Sequence, residues 1–129
     1  MPIADTSFIV DLMRKDPGAL ACYRAYEEQG IILFTTGITA LELYKGAFVS
    51  KDDHNRTRVQ TILELFIVLP VDESVYEAFG RISAGLCITG NPIGDFDEVI
   101  AALALCNDKE IITRDHHFEK IPNLSVISY

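Results

Sequence analysis

Short apolar runs of strand length alternate along this chain with amphipathic helical stretches, and that alternation leaves few folds open to 129 residues. The runs fall at residues 2–4, 31–34, 67–69, 110–112 and 124–127, each bounded by turn or capping residues. Between them, Phe8, Ile9, Leu12 and Met13 repeat at helical spacing, and Pro17 suits the first turn of a second helix that Gly30 ends. After the break at Thr35, Thr36 and Gly37, the residues Ile38, Leu41, Tyr44 and Phe48 predict the apolar face of a third helix. A polar, basic stretch at 51–58 leads into a helix carrying Val59, Ile62, Leu63 and Phe66. Asp72 caps a long helix with Val75, Phe79, Ile82 and Leu86 on one face, and a last helix spans about 95–106. Strands separated by helices imply a parallel sheet covered on both faces. The expectation is one α/β domain over residues 1–129, a three-layer sandwich with a central parallel sheet of four to five strands.

Composition narrows the class further. With 49% hydrophobic residues the chain can bury a core and is not disordered. No apolar run approaches the roughly 20 residues that span a bilayer, and the start of the sequence lacks the basic region and cleavage site of a signal peptide. A cytoplasmic protein without a membrane partner is expected. Cys22, Cys87 and Cys106 are an odd set without Cys-x-x-Cys spacing, which excludes a disulfide framework or zinc site and predicts small buried hydrophobes. The formal charge of -8 repels nucleic acid unless a cation reverses the sign locally.

Four acids carry the chemical signal: Asp5 after the first strand, Glu42 on the third helix, Asp97 at the start of the last helix and Asp115 after the fourth strand. In parallel α/β sheets the ligand crevice lies outside the carboxyl ends of the strands, and these positions bring all four to that edge. Converging carboxylates suit a hard divalent cation, Mg2+ or Mn2+, which prefers oxygen donors.

Each acid has a plainer reading. Asp5 can cap the first helix, although Thr6 and Ser7 can take over that role and leave it free. Asp95 followed by Glu98 is a capping-box pattern, so Asp95 reads as a cap, with an outer-shell role left open. Asp97 then falls at the second helical position, favoured by the helix macrodipole. Glu42 has Gly46 four residues on, which leaves room beside it, while Asp115 can simply open a turn after Thr113. Lys45, Lys51, His54, Arg56 and Arg58 form either a solvated surface or a rim that grips phosphates. His116 and His117 read as surface residues.

Four motifs in order resemble the PIN domain family, and within it the VapC-type toxins of toxin-antitoxin pairs. These are a strand ending in Asp5-Thr6-Ser7, Thr-x-x-Glu-Leu-x-x-Gly at 39–46, Gly-x-x-Asp-x-x-Ile-Ala-Ala at 94–102, and Thr-Arg-Asp-x-x-Phe-x-x-Ile-Pro-x-Leu at 113–124. The resemblance implies a PIN-like fold and catalytic roles for Asp5, Glu42, Asp97 and Asp115, with Asp5, Asp97 and Asp115 on the metal. Thr6, Ser7, Asp95 and Thr113 are possible supports, and Lys45, Lys51, Arg56 and Arg58 possible RNA contacts. It further implies Mg2+- or Mn2+-dependent endoribonuclease activity by a metal-activated water, products with 5'-phosphate and 3'-hydroxyl ends, a homodimer, and a small antitoxin partner. Many relatives carry Asn at the position of Asp115, which implies a tuning role there.

Three rival readings compete. A receiver-type phosphoacceptor needs an acceptor Asp after the third strand and a Lys after the last, where this chain has Leu69-Pro70 and Ser128-Tyr129. A phosphohydrolase using Asp5 as nucleophile needs a second Asp two residues on, where Ser7 stands. A non-catalytic RNA-binding module remains compatible with the sequence.

Overall fold

A computed structural model describes all 129 residues. The elements follow in the order β1 (Ile3–Ala4), α1 (Thr6–Met13), α2 (Pro17–Glu28), β2 (Phe34–Thr36), α3 (Gly37–Val49), α4 (His54–Leu63), β3 (Ile67–Leu69), α5 (Glu73–Ile88), α6 (Asp95–Leu105), β4 (Glu110–Ile112), a 3-10 turn (His116–Lys120) and β5 (Ser125–Ile127). All strand pairs are parallel, and the spatial order is β3-β2-β1-β4-β5. The chain first steps from β1 outward to β3, then returns to place β4 on the other side of β1. That reversal lies between β1 and β4 and marks the switch point where a crevice opens at the strand ends.

Strand periodicity divides the core into two. Ile3 and Ile111 point to the face covered by α5 and α6, while their neighbours Ala4 and Ile112 point to the face covered by α1, α2, α3 and α4. The first core packs Val75, Ile82 and Leu86 of α5 against Ile100 and Leu103 of α6. Ala101, Ala102 and Ala104 are fully buried, so α6 lies close to the sheet and its N-terminus is fixed near the crevice. The second core centres on Phe8, whose ring meets Tyr129 edge-on with centroids 4.9 Å apart. No helix is long and apolar enough to cross a membrane.

Some local expectations shift. The second strand comprises residues 34–36 instead of 31–34. β1 offers only two residues, and its register sets Ile3 opposite Phe34, so the ladder begins there. The threonines of the expected break continue it: Thr35 Oγ1 donates to the Ala4 carbonyl at 2.8 Å, and Thr36 Oγ1 accepts from the Thr39 amide to cap α3. On α3 the buried face is Thr39, Leu43 and Ala47, whereas Leu41 and Phe48 are 60% and 65% exposed. Thr39 and Ala47, two turns apart on either side of Leu43, let the helix approach its neighbours, while of the expected face Ile38 and Tyr44 are partly buried against the two cores and Leu41 and Phe48 turn outward. The cysteines are all free, as expected, but only Cys22 is partly buried; Cys87 and Cys106 lie at the surface.

Phe8 is fully buried and its ring also orders the C-terminal residues. Phe8→Ala should therefore destabilise the fold by about 3–5 kcal/mol, measured as a lowered midpoint of chemical denaturation with two-state behaviour retained.

Candidate active site

The crevice at the β1/β4 switch point is built around a buried carboxylate. Asp5, 4% exposed, is itself the N-cap of α1. Its Oδ1 accepts from the Ser7 amide at 2.6 Å, the Phe8 amide at 3.2 Å and the Ser7 hydroxyl at 2.7 Å. Its Oδ2 accepts from Thr113 Oγ1 at 2.7 Å. Thr6 and Ser7 thus do not relieve Asp5 of the capping role. Asp5 caps the helix and faces the crevice together, because one oxygen serves α1 and the other looks across to β4. Burial raises its proton affinity above the usual carboxylate range, and these donors partly offset that by favouring the anion.

Glu42 reaches the same crevice from the second turn of α3. Thr6 Oγ1 donates to its Oε1 at 2.9 Å, and Thr6 is in turn 3.2 Å from Thr39 Oγ1. Desolvation raises its proton affinity, the Thr6 hydrogen bond lowers it, and the charge of Asp5 raises it again. Gly46 has open space beside it, as the spacing from Glu42 suggests. A groove of about 270 Å³ runs from Glu42 past Gly46 between α1, α3 and α4, with Arg14, Asn55 and Arg58 on its walls.

Asp97 is half-buried at the third position of α6, one residue further into the helix than expected, and its pKa is pushed up from 3.8 to about 6. Desolvation is the largest cause. Repulsion from Asp115, Glu42 and Asp5 follows, and only His117 acts the other way. Three other acids thus lie close enough to oppose its charge, which brings the four predicted carboxylates to one cleft. Asp115 begins the 3-10 turn, where its Oδ1 accepts from the His117 amide at 2.9 Å and lies 3.1 Å from His117 Nδ1. His117 therefore has an acidic partner that its sequence context did not suggest, while His116 pairs at the surface with Glu119.

The supporting residues divide. Ser7 and Thr113 form a hydroxyl pair 3.2 Å apart around Asp5, and Thr113 Oγ1 also accepts from the Asp115 amide at 2.9 Å. Asp95 is not the cap: Gly94 holds that position with φ 108°, no side chain caps α6, and Asp95 is its exposed first residue. Glu98, the other half of the expected capping box, is buried instead of reaching back to the helix start. With Gly94 in a conformation open chiefly to glycine, the turn is made by the backbone and needs no capping side chain.

The basic stretch is mostly occupied elsewhere. Arg56 pairs with Asp53 at 3.1 Å and lies 5.0 Å above the Phe48 ring. Arg58 donates to the Met13 carbonyl at 3.0 Å and to Asn55 Oδ1 at 3.1 Å, which ties α4 to the end of α1 along the groove. Lys45 and Lys51 are exposed and make no ion pair. Sequence reasoning overlooked a second polar network, Asp11 with Arg114 and Tyr129, described below. Its one signal was Asp11 itself, a carboxylate one helical turn after Ser7 on the otherwise apolar α1.

The donor set suits a hard cation: the oxygens are carboxylates, and three of them carry raised proton affinities that a nearby positive charge would relieve. Their spacing is more open than a coordination shell, since no three His, Cys, Asp or Glu side chains stand close enough together to hold an ion. The arrangement is a cleft of confined negative charge, with hydroxyls fixing the inner carboxylate and Glu42 beside it.

Comparison with known proteins places these features in a family. Ribonuclease VapC1 of Haemophilus influenzae strain R2866 is 31% identical over 122 residues, covering 93% of this chain and 91% of that protein. Ribonuclease VapC1 of Methanocaldococcus jannaschii is 29% identical over 129 residues, covering 98% of this chain and 85% of the relative. The fold matches VapBC-1 from nontypeable Haemophilus influenzae with a TM-score of 0.86 at 28% identity, over 98% of this chain and 96% of that one. It also matches VapBC2 from Rickettsia felis, bound to a DNA fragment from its promoter, with a TM-score of 0.89 at 21% identity, over 98% and 97% of the two chains. The profile of the PIN domain matches residues 3–124, and the chain, with its five-stranded parallel sheet and acids at the switch point, belongs to the PIN domain family.

Proposed function

We propose that this protein is a divalent-cation-dependent endoribonuclease and the toxin of a toxin-antitoxin pair. The observation that carries the proposal is the convergence of Asp5, Glu42, Asp97 and Asp115 on one cleft, in a chain whose relatives over almost their whole length are named ribonucleases. Asp5 and Asp97 would hold the cation, Mg2+ or Mn2+, with Asp115 completing or supporting its shell. Bound there, the cation supplies Lewis-acid stabilisation of the phosphate and lowers the pKa of a water.

The protein's own groups do the rest. Thr113 and Ser7 hold Asp5 in one rotamer with its charge toward the cleft. Thr6 engages Oε1 of Glu42, leaving Oε2 to orient an attacking water and accept its proton. Attack in line on the phosphodiester would leave 5'-phosphate and 3'-hydroxyl ends. Arg58 on the groove wall and the unpaired Lys45 and Lys51 would attract the RNA backbone, whereas Arg56 is held by Asp53 and Phe48. Asp95 has no assigned part beyond its negative charge near the rim. A homodimer and a small antitoxin complete the proposal, supported by the VapBC complexes that the fold matches and by the exposed apolar residues Leu41 and Phe48 on α3. The cytoplasm is the proposed setting.

RNA incubated with the protein and Mg2+ should be cut internally, and EDTA should stop the cutting. Asp97→Asn should lower the cleavage rate by at least about a hundredfold while circular dichroism shows the fold unchanged; full activity in that variant would remove Asp97 from the mechanism, and failure of the wild type to cut under any divalent cation would leave the non-catalytic reading.

A second outcome concerns pH. Asp97 has a folded pKa of about 6 against an ordinary 3.8, so the folded protein holds this proton more tightly than the unfolded chain. Without cations, the contribution of Asp97 to stability should therefore be greatest in acid, fall as pH rises from about 4 to about 6, and level off above. Thermal melts in EDTA should show this slope weakened in Asp97→Asn. Because the same proton must leave before a cation binds, the rise in melting temperature on adding Mg2+ should grow as pH passes through about 6. A Mg2+ effect independent of pH would contradict the assignment.

A further inference from the structure

The cleft is acidic, yet one cation is fixed at its edge by a network that the proposed chemistry does not use. Arg114 lies between Thr113 and Asp115, and its amide donates to Ser7 Oγ at 3.2 Å, the hydroxyl that also donates to Asp5. Its Nη1 pairs with Asp11 Oδ1 at 2.9 Å. The Asp11 side chain is only 8% exposed, whereas that of Arg114 is 55% exposed. The other Asp11 oxygen accepts from the Tyr129 hydroxyl at 2.7 Å, and the Tyr129 ring is itself set edge-on against the buried Phe8. One end of the guanidinium is thus anchored through a buried carboxylate to the core, and much of the side chain stays in solvent.

We infer that Arg114 forms a phosphate-binding subsite for the RNA strand next to the cleaved bond, and that Asp11 and Tyr129 are positioning residues that hold it there. A guanidinium offers several donors in a rigid plane, so one can serve Asp11 while others remain for a phosphate oxygen. Anchoring also limits the rotamer entropy an arginine loses on binding. Neutralising the buried Asp11 is a structural role that Arg114 also fills, but one guanidinium nitrogen suffices for it, and the rest of a side chain 55% exposed stays available. A second arginine, Arg58, lines the groove that runs from Glu42. With Arg58 in the groove beside Glu42 and the Arg114 amide bonded to the Ser7 hydroxyl that holds Asp5, a strand bound at the acids would have two cations for its backbone.

The inference rests on the ribonuclease reading, and its test separates the two. Cleavage of a fluorescein-labelled single-stranded oligoribonucleotide of mixed sequence would be followed in Mg2+ for wild type, Arg114→Gln, Arg114→Lys and Tyr129→Phe. Arg114→Gln should raise KM roughly tenfold with kcat little changed, Arg114→Lys should recover part of that loss, and Tyr129→Phe should raise KM by a smaller factor. Binding of the same RNA to Asp97→Asn, measured by anisotropy against KCl concentration, should show a log-log salt slope shallower by about 0.7 when Arg114→Gln is added, the amount expected for one lost contact to a single strand. Because Arg114→Gln alone leaves the Asp11 charge unpaired, the Asp11→Asn/Arg114→Gln double variant repeats both measurements without it. Unchanged KM and salt slope in folded Arg114→Gln or in the double variant, with wild type active, would overturn this inference alone. Unchanged KM in Tyr129→Phe would remove its positioning role. Wild-type protein that neither binds nor cuts the RNA would overturn the ribonuclease reading and this subsite with it.

Discussion

Asp5 is the point on which the site depends. A carboxylate 4% exposed is costly unless its oxygens are satisfied, and here four donors from two different elements converge on it. Two amides and a hydroxyl from the first turn of α1 hold one oxygen, and a hydroxyl just after β4 holds the other. Those bonds fix α1 relative to β1 and bind the end of β4 to the start of α1 at the place where strand order reverses. Thr6, next in the chain, is thereby positioned to hold Glu42, and Ser7 to receive the amide of Arg114. The cleft geometry thus follows outward from the satisfaction of one buried charge.

The same arrangement opposes itself electrostatically. Asp97 is stabilised as an anion by its place in the first turn of α6, yet it feels desolvation and three neighbouring acids, and the balance lies toward the proton. A core that only needed stability would not gather these charges, since an alanine or serine at position 97 would fit the helix start without the repulsion. The fold absorbs the strain because α6 is anchored along its length by Ala101, Ala102 and Ala104 against the sheet, away from the charged end. Rigid apolar packing on one side and unrelieved charge on the other make a cleft whose repulsion a cation would relieve.

How far the sequence was readable follows from which interactions are local. Strand and helix order was legible because apolar periodicity and capping residues are short-range signals; Asp72, Pro17 and Gly30 mark their helix ends as expected. The four acids were legible because parallel topology alone sends strand ends to one edge. What escaped depends on partners distant in sequence. Thr35 and Thr36 read as a break until the Ala4 carbonyl and the Thr39 amide are seen to satisfy them. The buried face of α3 was only half legible: Ile38 and Tyr44 pack against the cores, but Leu41 and Phe48 are exposed and the small Thr39 and Ala47 are buried where the helix approaches its neighbours. Gly94 replaced Asp95 as the cap because a backbone turn at positive φ leaves no mark in a capping-box pattern. Asp11 is separated from Arg114 and Tyr129 by more than a hundred residues, and no spacing rule links them.

The net charge of -8 takes on a different meaning once these positions are known. Summed over the chain, it argues against a polyanionic substrate, but electrostatic attraction acts over roughly 10 Å at ordinary ionic strength and so depends on local arrangement. Around the cleft, the acids lie inward, at the strand ends and helix starts, where burial strengthens their demand for a cation. Arg58 lines the groove beside Glu42 and Arg114 follows Thr113 after β4, each secured by protein acceptors. If the protein is the proposed ribonuclease, such a layout would discriminate by sequence of events: the cleft would be least hospitable to a phosphate while its carboxylates are unneutralised, and the arginines could then attract a strand only to its edges. Neutralising the acids removes the central repulsion while leaving the flanking attraction in place. On the proposed reading a polyanion would then lie across the cleft, and net acidity would make substrate engagement conditional on the cation.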